Sequence, residues 1–185
     1  MPGGRYRIFA DLVHGTGFPE TEIGSVMLPP IVSGLPQGDD AVATAASLAT
    51  GPQTGAASLG AGARMRWISE AAPLRAGEPI WLTFRVDAPS GGPATDLEPY
   101  MGMAGHLVVV RADWSVFAHL HPAGSAPMAS VELANGPAMA THAGHAPSPD
   151  ITFPYGFPSA GHYRLFVQIK RAGRVETGVF DAQVN

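Results

Sequence analysis

Gly161-His162-Tyr163-Arg164-Leu165-Phe166-Val167-Gln168-Ile169, resumed after a turn by Val175 to Val184, is the stretch that decides the fold class. Aromatic and aliphatic residues alternate with polar ones, the chain turns at Gly173, and the alternation starts again. That is the pattern of a β-hairpin with one face against a core. The same pattern opens the chain. Gly4, Tyr6, Arg7 and Phe9 match Gly161, Tyr163, Arg164 and Phe166, and after one gap Gly17, Glu20 and Thr21 match Gly173, Glu176 and Thr177. Both stretches read as closing hairpins, and residues 1–29 therefore read as the tail of a truncated copy of the module that ends the chain.

Between the two hairpins the strand signals become regular from Arg64 onward. Arg64–Ile68, Ile80–Val86, Gly105–Arg111, Ser115–His121 and Ala129–Leu133 precede Tyr163–Ile169 and Val175–Val184. Seven short strands in this span predict an immunoglobulin-like antiparallel β-sandwich over residues 64–185. The 23 Gly and 18 Pro support an all-β reading, because they break helices and supply turns. Residues 30–63, rich in Gly, Ala, Pro, Ser and Thr, read as a flexible linker in which Asp40–Leu48 has the Ala content for a short helix. Residues 134–150 contain little that offsets the entropy of ordering and read as a mobile loop.

Composition removes several function classes. Eleven Lys and Arg against fifteen Asp and Glu give a formal charge of −4, with no basic cluster to neutralise phosphates, so nucleic acid is not an expected partner. Apolar runs are interrupted well before the roughly 20 residues of a membrane-spanning helix, and no membrane insertion by this chain is expected. There is no cysteine, hence no disulfide and no thiolate ligand. Residues 1–20 lack the charged and apolar regions of a signal peptide, so the targeting segment of an exported protein would lie outside this chain. No Gly-x-Ser-x-Gly elbow, phosphate-cradling loop or His-Glu-x-x-His is present, and the chain is not expected to be an enzyme.

The chemistry concentrates between Met101 and His145, which hold five of the seven histidines. Met101-Gly-Met103-Ala-Gly-His106 enters one strand and Phe117-Ala-His119-Leu-His121-Pro122 leaves the next. If Asp113-Trp114 form a two-residue turn, His106 stands opposite His121 and Val108 opposite His119. His106, His119 and His121 then project from one face, at separations of about 5–8 Å that let three imidazoles share an ion. A three-residue loop would instead turn His106 to the other face. Thioether sulfur favours Cu(I), so Met101 or Met103 beside the histidines points to copper, while three histidines alone suit zinc equally. The competing reading is three individually hydrogen-bonded histidines at the end of a core. Met128, Met139, His142 and His145 form a looser set. Asp96 and Glu98 are candidate acceptors for an imidazole N–H. His119-Leu-His121 has the His-x-His spacing of a cupin, but the acidic residue expected about four positions later is absent.

With these residues in view, Glu98-Pro-Tyr-Met-Gly-Met-Ala-Gly-His106-Leu-Val-Val-Val, Phe117-Ala-His119-Leu-His121-Pro122 and Gly161-His-Tyr-Arg-Leu-Phe together resemble a module of uncharacterised bacterial exported or membrane-anchored proteins. It is similar to YtkA-like and FixH-like immunoglobulin-type sandwiches. The resemblance covers residues 64–185 and, as a partial copy, 1–29. It implies a periplasmic or cell-surface location, a part in copper handling, and other domains of a longer envelope protein as partners. His106, His119 and His121 match the module's Gly-His and His-x-His-Pro positions; the methionines are not part of that pattern. The expectation is thus a copper-binding module for buffering or delivering the ion, with a non-catalytic structural or interaction sandwich as the alternative.

Overall fold

A computed structural model describes residues 2–16, 18–32, 55–68, 73–125 and 147–185. Among them the chain is all-β, with no α-helix. The helix considered at Asp40–Leu48, the strand expected at Ala129–Leu133 and residues 134–146 of the expected loop lie outside the described residues.

The first unit is a hairpin of β1 (Gly4–Val13) and β2 (Pro19–Leu28), paired antiparallel from Gly4↔Leu28 to Val13↔Pro19. The Tyr6 hydroxyl donates to Pro2 O at 2.6 Å, and His14 meets Glu20 at 2.7 Å.

The second unit holds two antiparallel sheets. One runs in the order β3 (Ala56–Ser58), β4 (Arg64–Ile68), β5 (Pro79–Asp87), β9 (Asp150–Gly156). The other runs β11 (Arg174–Val184), β10 (Gly161–Arg171), β7 (His106–Arg111), β8 (Phe117–Leu120), with the short β6 (Leu97–Glu98) also on β10. The chain leaves β5, builds β7 and β8 in the other sheet, returns to β9 beside β5, and crosses again to β10 beside β7. Period-two alternation sets what each sheet buries: Met65, Trp67, Leu82, Phe84, Val86, Ile151 and Phe153 from one, Leu107, Val109, Tyr163, Leu165, Val167, Ile169, Phe180 and Val184 from the other. Phe180 joins the layers, 5.0 Å from the Phe84 ring and 6.2 Å from Trp67.

The structure adds three strands to the sequence reading, the short β6 (Leu97–Glu98) among them. Ala56–Ser58, within the stretch read as linker, pairs with β4. Asp150–Gly156 was not among the expected strands, yet it pairs with β5 along its length, Trp81 opposite Pro154. Pro154 lacks an N–H to donate, which argues against a central strand but not against an edge, and among the described residues β9 is the edge strand of its sheet.

Candidate metal centre

The β7–β8 hairpin carries the site. Its ladder pairs Leu107↔Leu120, Val108↔His119, Val109↔Ala118 and Val110↔Phe117. Leu107 and Val109 lie in the core, and Ala118 and Leu120 pack against it. His106 and His119, each one position out of phase with those residues, therefore belong to the opposite, outer face of the sheet.

The register is the one expected, but the turn is not. Arg111 N–H donates to Val116 O at 2.9 Å, and a tighter turn is closed by Trp114 N–H on Arg111 O at 2.8 Å. The connection is thus Ala112–Ser115, with Trp114 in the left-handed region at φ 65° and Asp113 Oδ1 accepting from Ser115 N–H at 3.0 Å. Four loop residues or two leave the same pairing, because both counts are even; three would have inverted the face.

The three rings converge. Centroids are 5.2 Å apart for His106 and His119, 5.3 Å for His106 and His121, and 5.0 Å for His119 and His121. One ligand nitrogen from each can be chosen so that all lie within 4.8 Å of one another, and such a set can hold a metal ion. His106 is buried at 3% exposure, whereas His119 and His121, at the edge strand, are half-buried. The centre has a rigid inner ligand and two outer ones within reach of solvent.

His106 is held from behind. Its Nε2 lies 3.1 Å from Tyr100 O, and its Nδ1 lies 3.1 Å from His119 Nε2. A backbone carbonyl only accepts, so Nε2 of His106 carries the proton and, in the neutral ring, Nδ1 presents its lone pair to the cluster. The Tyr100 ring meets the imidazole edge-on, 5.1 Å between centroids. Side-chain reasoning could not single out Tyr100, because its contribution is a main-chain oxygen.

The remaining expected residues separate. Met101 is 65% exposed at the tip of a tight turn, while Met103 is buried at its end. Asp96 and Glu98 do not serve the imidazole. Asp96 takes a bidentate pair of bonds from Arg171, at 3.0 and 2.8 Å, and Glu98 accepts from Gly173 N–H at 2.8 Å. Arg171 is buried and also reaches Glu176 at 3.3 Å. Its hydrogen bonds hold the Asp96 carboxyl below the usual range against the opposing effect of burial, while burial raises Glu176 despite the same arginine. This clamp ties the segment leading into Tyr100 to β10. Met128, Met139, His142 and His145 lie outside the described residues.

One protein family, described as a domain of unknown function, DUF8832, matches residues 60–185, well over half of the chain. The chain belongs to the DUF8832 family. No curated protein and no solved structure matches it. The matched span of the DUF8832 domain contains β4 to β11, and with them all three histidines and the Tyr100 turn.

Proposed function

We propose that this DUF8832 domain is a metal-binding module that buffers or delivers copper, with His106, His119 and His121 as ligands. The observation that carries this reading is the convergence of three imidazoles, one buried and oriented by a main-chain carbonyl, on a space small enough for one ion. A buried ligand whose other nitrogen is already engaged is the usual arrangement of a metal-binding histidine. Copper is favoured over zinc by the presence of two thioethers, Met101 and Met103, in the adjoining turn, because soft sulfur donors favour Cu(I). Two half-exposed ligands suit exchange of the ion with a partner rather than permanent burial. A periplasmic or cell-surface setting, with other domains of a longer envelope protein as partners, follows from the sequence resemblance, and no catalytic role is assigned.

Titration of Cu(I), Cu(II) and Zn(II) against the wild type and the His119→Ala/His121→Ala double variant tests the proposal. A large loss of affinity in the variant is expected; equal affinity overturns the reading.

The second reading is a non-catalytic interaction module used in series. Its support is the N-terminal hairpin. Under the sequence alignment the pair Gly4↔Leu28 falls on Gly161↔Val184, and the Tyr6 bond to Pro2 O falls on the Tyr163 bond to Ser159 O, each spanning four residues. On that reading alone, metal leaves the melting temperature unchanged.

A further inference from the structure

We propose that the Tyr100 carbonyl, presented by the Met101-Gly102 turn, makes His106 an Nδ1 ligand, so that the ion is bound through unlike nitrogens: Nδ1 of His106 and Nε2 of His119. This rests on the metal-binding reading above and names the positioning group of that site.

The turn is built for the purpose. Tyr100 N–H donates to Met103 O at 2.8 Å and Met103 N–H to Tyr100 O at 3.0 Å, closing a two-residue hairpin loop. Its central residues, Met101 at φ 48° and Gly102 at φ 80°, are both left-handed, the requirement of a type I′ turn. Methionine gains nothing from that backbone region, so the conformation is imposed by the turn as a whole, with Gly102 the member that adopts it without steric cost. The result is a carbonyl whose two lone pairs serve the Met103 N–H and the His106 Nε2–H.

His106 is buried, at 3% exposure, and its Nε2–H is engaged by the Tyr100 carbonyl at 3.1 Å, a bond that burial makes costly to break. The edge-on Tyr100 ring, at an interplanar angle of 83°, bounds the imidazole on that side. Nδ1 is then the nitrogen left to face His119 Nε2 at 3.1 Å. With Nδ1 of His106 accepting, His119 donates from Nε2 in the metal-free protein. For an ion to enter, that proton moves through solvent to Nδ1 of His119, whose half-buried ring allows it, and both facing nitrogens offer lone pairs. His106 keeps one tautomer throughout; His119 exchanges tautomers.

The test is long-range ¹H–¹⁵N correlation of the imidazole nitrogens in the full-length protein, metal-free and with the diamagnetic ions Zn(II) and Cu(I). The expected result is a His106 Nε2–H tautomer in both states, with ion-induced shifts on Nδ1 of His106 and Nε2 of His119. A His106 Nδ1–H tautomer, or an ion-induced shift on its Nε2, overturns the inference while leaving metal binding standing. Absence of an ion-induced shift on all three rings removes the metal-binding reading and this inference with it. Two variants add a second readout. Gly102→Asn, which tolerates the left-handed region, is expected to keep wild-type affinity. Gly102→Val, checked for folding by circular dichroism, is expected to lose about tenfold or more, the scale set by groups that orient a ligand. If Gly102→Val folds, binds as the wild type does and still ligates through Nδ1, the carbonyl is not what positions His106.

Discussion

His106 Nδ1 and His119 Nε2 lie 3.1 Å apart across neighbouring strands, although His119 is paired with Val108 and not with His106. The contact is diagonal, made possible because His106 stands at the end of β7, where the Tyr100 turn holds its ring in place. The two histidines differ in burial, and this difference separates their roles. In chelated, metal-free protein, His106→Ala is expected to lower unfolding free energy by about 2–3 kcal/mol, since it deletes a buried ring and its bonds. His119→Ala should cost less than about 1 kcal/mol, yet weaken ion binding as strongly. Chemical denaturation with and without ion separates the two effects; equal metal-free losses would contradict this division.

Gly105, immediately before His106, is a second point of control. A Cβ built there would sit 2.6 Å from Gln168 O, a main-chain atom of the neighbouring strand that cannot rotate away. Gly105→Ala is expected to push β7 off β10, destabilise by about 1–3 kcal/mol and displace His106 from Tyr100. The denaturation midpoint and the His106 imidazole signals report both effects, and an unchanged midpoint would show that the strands yield easily.

Tyr163 is fully buried, with its hydroxyl donating to Ser159 O at 2.7 Å at the corner where the chain enters β10. Tyr163→Phe keeps the ring in the core but leaves that carbonyl without its partner. A loss of about 1–1.5 kcal/mol is expected in thermal or denaturant unfolding. No loss would mean that water replaces the hydroxyl.

Acid should unfold the domain through its aspartates. Hydrogen bonds from Arg66 hold Asp87 below the usual range, and those from Arg85, at 2.5 and 2.6 Å, do the same for Asp150, in both cases against the cost of burial. A carboxylate with a depressed folded pKa binds fewer protons native than unfolded. Its contribution is complete above the unfolded value of about 3.9 and is lost as pH falls through the folded value. Glu176, raised by burial, acts with the opposite sign, losing stability as pH rises from its unfolded toward its folded value. The aspartate pairs outnumber it, so unfolding free energy should fall steeply below about pH 4. Asp150→Asn should flatten that acid limb; an unchanged slope would exclude the pair as a contributor.

Much of this architecture was legible in local pattern. Period-two alternation located β4, β5, β7, β10 and β11, since a side chain's face on a strand depends only on its parity in the chain. The same parity placed His106, His119 and His121 on one face before their distances were known. The Ala112–Ser115 loop leaves that face as a two-residue loop would, because both counts are even. The missing strand β9 has a plain cause: Asp150-Ile-Thr-Phe-Pro-Tyr-Gly156 alternates, but Pro154 is compatible only with an edge, and whether a strand lies at an edge is not written in its own residues.

What the chain order determined by itself, then, was the all-β class, the core-facing set of β4, β5, β7, β10 and β11 and the shared face of three histidines, all of which follow from short-range periodicity. Tertiary structure decided the pairing of β5 with β9, the withdrawal of Asp96 and Glu98 from the centre to Arg171 and Gly173, and the Tyr100 carbonyl behind His106. Those outcomes depend on contacts between segments far apart in the chain and on a main-chain oxygen that every residue possesses. Only folding gives such an atom an address.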